Sequence, residues 1–244
     1  MDLNNSLPKI FLGIATRNHG WILPKYLSSI LSLEYPRHLI SLFFYVNDCE
    51  AGDESMSILR DFRASHLKKY RSIRVEEISF GVELDVRETN IRSRLYPHFA
   101  MLKNTVKDMF LKSGCDYWLQ IDTDSPMKPD TLAKLLRHDK GYVCGMCNVD
   151  KNKQSITLNV IKKTTGRRAR VDMAEIMRTR PGQLYKAWWV GGIALIRRDI
   201  AESCNYHVKK KGKDDNLGFC ADVRKMGKEA WVDPEVFLEH YMVK

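Results

Sequence analysis

The chain has 244 residues, 44% hydrophobic and 29% charged, enough for one large α/β domain or two small ones. Its formal net charge is +10, which favours anionic partners. No apolar run approaches the ~20 residues of a membrane span. The apolar stretch IFLGIA near the N-terminus is too short for a signal-peptide core, so a cytoplasmic protein is expected.

In chain order, IFLGIA (10–15) is a short continuous apolar run, the pattern of a strand buried on both faces. LPKYLSSILSL follows with Leu23, Tyr26, Leu27, Ile30 and Leu31 at helical spacing and Pro24 suited to a first turn. LISLFFYV (39–46) predicts a second strand. DESMSILRDFRASHLKKY predicts a helix with Met56, Leu59, Phe62 and His66 inward, and IRVEEI (73–78) a third strand. Leu95, Phe99, Leu102, Val106 and Phe110 form a helical stripe that Gly114 ends. The strand YWLQI then runs into Asp122 and Asp124; a short helix opened by Pro129 and the strand GYVCGMC complete the alternation.

To about residue 148 this order predicts a mainly parallel sheet with helices on both faces, whose ligands bind beyond the carboxyl ends of the strands. Asp48 and the Asp122–Asp124 pair lie at such ends. The second half is less regular: a basic segment, the strand-like AWWVGGIALI, a lysine run KKKGK (209–213), a helix NLGFCADVRKMG and EAWVDPEVFLEHYMV. Residues 151–180 hold nine Lys/Arg against two acids, which suggests either a polyanionic partner or a solvated flank. Among six cysteines, Cys144 and Cys147 form a C-x-x-C inside a strand with no second pair at zinc-finger spacing, so buried reduced thiols are expected.

Two carboxylates one residue apart at a strand end can share a hard divalent cation, Mg²⁺ or Mn²⁺, with a diphosphate. Alone the pair is a weak signal: one Asp could cap the next helix while the other is solvated. An EF-hand is excluded because the sixth and twelfth positions from Asp122 are Met127 and Ala133. A phosphatase nucleophile usually follows the first strand of its fold, and here the pair follows the fourth.

Four ordered segments resemble the GT-A fold nucleotide-sugar glycosyltransferases, particularly the family-2-like group. They are IFLGIATRNHGWILPKYLSSIL; FFYVNDCEAGDES, with Asn47 in place of an Asp; LKN…CDYWLQIDTD, with Lys103 in place of Arg; and DDNLGFCADVRKMGKEAWVDPEVFLEH. The resemblance implies a single GT-A-like (Rossmann-like) domain over 1–244. Residues 1–148 would be the nucleotide-sugar half, and 149–244 a smaller acceptor-side β region. It implies metal-dependent transfer of a hexose from a UDP- or GDP-sugar to an acceptor hydroxyl, an anionic glycan or nucleic acid included.

By that resemblance Asp124 ligates Mn²⁺ or Mg²⁺ directly, Asp122 contacts ribose or reaches the metal through water, and His240 completes the coordination. Asp48 would bind base or ribose, Thr16 and Arg17 the base or diphosphate, and Lys103 a phosphate. Asp215 would be the general base of an inverting transfer, with Asp214 beside it in place of Glu. Gly191 and Gly192 would form an acceptor-side turn, with Trp188 or Trp189 stacking on a sugar. Two other readings compete. A nucleotidyltransferase would share the sheet and cation, but ATRNHG is poor in glycine. A nucleic-acid-binding module would use the basic segments and leave the acids without a role.

Overall fold

The computed structural model describes residues 7–79, 91–147, 158–161, 168–169, 182–208 and 215–241. Among them run β1 (Ile10–Thr16), α1 (Leu23–Leu31), β2 (Ile40–Asn47), α2 (Ser55–His66), β3 (Ser72–Ile78), α3 (Ile91–Ser113), β4 (Tyr117–Gln120), α4 (Thr131–Leu136) and β5 (Tyr142–Cys147). The second half adds β6 (Leu158–Ile161), β7 (Arg168–Ala169), β8 (Tyr185–Val190), β9 (Ala194–Arg197), α5 (Arg198–Ser203), α6 (Asp215–Lys225) and β10 (Ala230–Leu238).

The strands form one sheet in the order β3-β2-β1-β4-β9-β5-β10-β8-β6-β7. β3, β2, β1 and β4 are all parallel, as the βα alternation predicts. β2, β1 and β4 are largely buried on both faces because alternate residues of each strand feed opposite layers, whereas β3 is a half-exposed edge strand. Ile10, Leu12 and Ile14 join Leu23, Tyr26 and Ile30 of α1 on one side. Phe11 and Phe43 join Val106 and Phe110 of α3 and Trp118 of β4 on the other. Gly13 lets α3 lie close to β1: a Cβ there would stand 2.5 Å from the side chains of both Phe11 and Val106.

AWWVGGIALI is not one strand. It breaks at Gly191–Ile193, where Gly192 takes φ +91°, a backbone region glycine enters without steric cost. Its first half, β8, pairs with β10 and β6, whereas its second half, β9, inserts antiparallel between β4 and β5. The short helix after the Asp pair begins at Thr131 with Asp130 as its N-cap, rather than at Pro129. Neither Asp122 nor Asp124 therefore caps it. Met56 and His66 of α2 are half-buried, while Leu59 and Phe62 carry its core face. Cys144 and Cys147 are buried free thiols. Most of the basic segment 151–180, all of KKKGK and Asp214 lie outside the described residues.

Candidate active site

Strand order reverses across β1, between β2 on one side and β4 on the other. Loops leaving neighbouring strands diverge at such a point and open a crevice at the carboxyl edge. Here the crevice is a cavity of about 430 Å³ lined by Thr16, Arg17, Lys103, Asp122 and Asp124 among others. Five of the expected donor-site residues thus line one cavity.

The spacing of the Asp pair has a local cause. Thr123 is completely buried, and its hydroxyl meets Thr16 Oγ1 at 3.2 Å and the His19 imidazole Nδ1. Thr123 and Asp124 lie in a turn that the Ser125 amide closes by donating to the Asp122 carbonyl at 3.1 Å. Anchoring Thr123 to the end of β1 fixes this turn, from which Asp122 and Asp124 line the cleft. Asp124 is held again from the C-terminal side: His240 Nε2 lies 2.9 Å from its Oδ2, and the Tyr241 amide donates to its carbonyl at 2.8 Å. Lys25 of α1 stacks 3.9 Å from the Tyr241 ring centroid, which ties this C-terminal segment to the first helix.

Asp122 lines the cavity and is exposed to water there. Desolvation first, and the charge of Asp124 second, raise its carboxyl to about 6, with Lys103 and His240 opposing. Among the described residues no three His, Cys, Asp or Glu side chains converge on one point. Asp124 and His240 meet, while Asp122 stands apart from them.

Lys103 does not simply face the cleft. Its ammonium lies 2.8 Å from Asp215 Oδ2, 3.0 Å from Asn216 Oδ1 and 5.1 Å from the Tyr206 ring centroid. Asp215 opens α6 and is 2% exposed. Asn104, the next residue of α3, fixes the preceding segment through two bonds to the Tyr206 backbone at 2.8 and 2.9 Å.

Asp48 sits just past β2 with φ +44° and accepts from Ser79 Oγ at 2.8 Å. Gly191, Gly192 and Asn216 line a small hollow that shares Gln120 with the main cleft, so the glycine turn adjoins the site. Neither Trp188 nor Trp189 lines the cleft. One face of Trp188 is covered by the Arg224 guanidinium, 3.8 Å from the ring centroid, and its carbonyl accepts from the same side chain at 2.7 Å.

Sequence reading missed His19, Asn47 and His98, all in the cleft wall. Burial lowers the pKa of His19 against the opposing pull of Asp124 and Asp53. Its place in the same loop as Arg17 is the signal that could have found it.

This sheet order and its switch-point cleft are those of the GT-A fold. Solved structures share the architecture. The mannosyltransferase PcManGT of Pyrobaculum calidifontis, in complex with GDP-Man and Mn²⁺, superposes with a TM-score of 0.59 at 16% identity, covering 98% of this chain and 58% of that one. GalNAc-T7 with UDP, GalNAc and Mn²⁺ gives 0.64 at 11% identity, covering 99% and 44%. At these identities the likeness is one of fold.

Residues 7–192 match the family described as glycosyltransferase family 25, N-terminal domain, and the chain belongs to that family. Among curated relatives, procollagen-lysine,2-oxoglutarate 5-dioxygenase 1 of Bos taurus is 21% identical over 229 residues, 91% of this chain and 29% of that protein. Procollagen galactosyltransferase 1 of Danio rerio is 25% identical over 145 residues, 57% of this chain and 23% of that protein. The chain spans less than a third of the length of these relatives. Among the described residues no helix is long and apolar enough to cross a membrane.

Proposed function

We propose that the chain transfers a hexose from a nucleoside diphosphate sugar to an acceptor hydroxyl with inversion, using Mn²⁺ or Mg²⁺. The observation that carries this reading is the Asp124–His240 contact of 2.9 Å on the wall of the switch-point cleft. Neighbouring vertices of an octahedron of about 2.1 Å radius stand about 3.0 Å apart, so the donor set fits a shared cation. Asp122, standing apart, would reach it through water or bind ribose. An imidazole donor favours Mn²⁺ over Mg²⁺, which takes oxygen ligands. When bound, the cation offsets the charge that develops on the departing diphosphate.

Thr16, Arg17 and Asp48, at the ends of the two strands beside the cleft, would hold the nucleotide, and Lys103 a phosphate. Asp215 would accept the acceptor's proton as its oxygen bonds the anomeric carbon and the bond to the diphosphate breaks. Gly191 and Gly192 would let the acceptor approach the backbone closely, with Asp214 beside the base. Trp189 is the better placed tryptophan to stack on a sugar, since Arg224 already covers one face of Trp188. The basic segment 151–180 makes an anionic acceptor attractive, and its binding would then weaken steeply with salt.

A thermal-shift panel tests the reading: UDP-, GDP-, CMP- and TDP-sugars with and without Mn²⁺, UDP-galactose first because a relative bears the name galactosyltransferase. A ligand at 100 times its Kd adds about 2.7 kcal/mol of apparent stability. A rise with one nucleotide sugar that disappears when Mn²⁺ is withheld is expected. No rise with any of the four discards the proposal.

A further inference from the structure

The Lys103–Asp215 pair places an ammonium between two sites that would need it in turn. Lys103 lines the cleft that holds Asp122 and Asp124, and its Nζ lies 2.8 Å from Asp215. A nucleoside diphosphate entering that cleft is a stronger anion than one carboxylate, and a lysine's four-carbon stem lets its point charge swing.

The frame around the pair is comparatively fixed. Asn104 clamps the Tyr206 backbone from α3, and Lys107 of the next helical turn donates to the Cys204 carbonyl at 3.2 Å. α6 is pressed against the same segment: a Cβ on Gly218 would fall 1.9 Å from the His207 carbonyl oxygen. The helices on either side of the pair therefore cannot easily part, and the lysine side chain is the element with freedom to move.

Building on the proposed transferase reading, we infer that Lys103 is a positioning residue exchanged between Asp215 and the donor diphosphate, so that donor binding unlocks the base. In the pair, the ammonium lies against Asp215 Oδ2 and makes that oxygen a poorer acceptor for the proton of an acceptor hydroxyl. Once the diphosphate draws Lys103 away, that oxygen becomes available as acceptor. The consequence is an ordered reaction, donor before acceptor, which keeps the base masked while no sugar is present to transfer.

The exchange makes a prediction that needs no acceptor. Because Asp215 competes for Lys103, Asp215→Asn should tighten UDP binding in the presence of Mn²⁺ by about 3–10-fold. Lys103→Met should weaken it by about 10-fold. Combining the two should abolish the gain, since the competitor matters only through the lysine; a double-mutant cycle by calorimetry measures this coupling. Lys103→Gln is run in parallel, with melting temperatures, so that a misfolded variant does not decide the result.

A long-range effect of the Asp215 charge would persist without Lys103. An Asp215→Asn gain that survives in both lysine variants, or no gain in wild type, overturns the exchange while leaving the transferase reading intact. A wild-type chain that binds neither UDP nor GDP with Mn²⁺ overturns both.

Discussion

His240 Nε2 stands 2.9 Å from Asp124 Oδ2, and the Tyr241 amide donates to the carbonyl of the same aspartate at 2.8 Å. One residue of the β4 loop is thereby gripped through side chain and main chain by the stretch that follows the last strand. If both side chains ligate the cation, Asp124→Asn and His240→Ala should each weaken Mn²⁺-dependent UDP binding by at least about 10-fold, the lower end of losses seen when only supporting groups are removed. Melting temperature in the absence of metal should change little, because neither side chain is a core element. Full affinity of the Asp124→Asn variant in calorimetry would remove it from the metal site.

Asp122 carries an internal cost that a variant can expose. Desolvation, and then the charge of Asp124, push its carboxyl up from an ordinary 3.8 to about 6. Between these values the folded state holds a proton that the unfolded chain lacks, so this group's contribution to stability falls as pH rises through that window and stays low above it. Asp122→Asn should accordingly melt higher than wild type at pH 7.5 without divalent cations, by about 2 °C once solvent access through the cleft is allowed for. The gap should close toward pH 4. Equal melting curves at both pH values would show that Asp122 is held no differently from a surface carboxylate.

General-base assistance typically contributes about 10²–10⁴-fold in rate. Asp215→Asn should lower kcat by about that factor while UDP binding persists, and NMR of the product should show inverted anomeric configuration. A variant within a few-fold of wild type, or a retained product, would leave Asp215 as the first residue of α6 and no more.

Gly13 tests how closely α3 must approach β1. The added methyl of Gly13→Ala meets Phe11 and Val106 at 2.5 Å, and overpacking of this kind costs about 1–3 kcal/mol. At about 2–4 °C per kcal/mol for a chain of this length, calorimetric melting should fall by about 2–12 °C. An unchanged melting temperature would mean that the helix simply shifts.

The sequence by itself determined the parallel first half of the sheet and the location of the acid pair. Fully buried parallel strands need unbroken apolar runs, and their helices need a 3.6-residue stripe, so IFLGIA, LISLFFYV and the Leu95–Phe110 stripe declared themselves locally. Asp122 and Asp124 were legible for the same reason: polar residues that abruptly end an apolar run mark the edge of the sheet.

Only the tertiary structure decided that AWWVGGIALI divides, because its two halves are equally apolar and their separate neighbours are set by sheet pairing rather than by periodicity. It alone joined Thr123 to His19, 104 residues away in sequence, and Asn104 to Tyr206, 102 away. Lys103 read as a phosphate ligand because a helix-borne cation near an acid pair has that charge; that its ammonium rests on Asp215 depends on how α3 packs against α6. Such contacts cross sequence separations over which no local pattern carries information, and they are chosen by which helix faces which at the sheet edge.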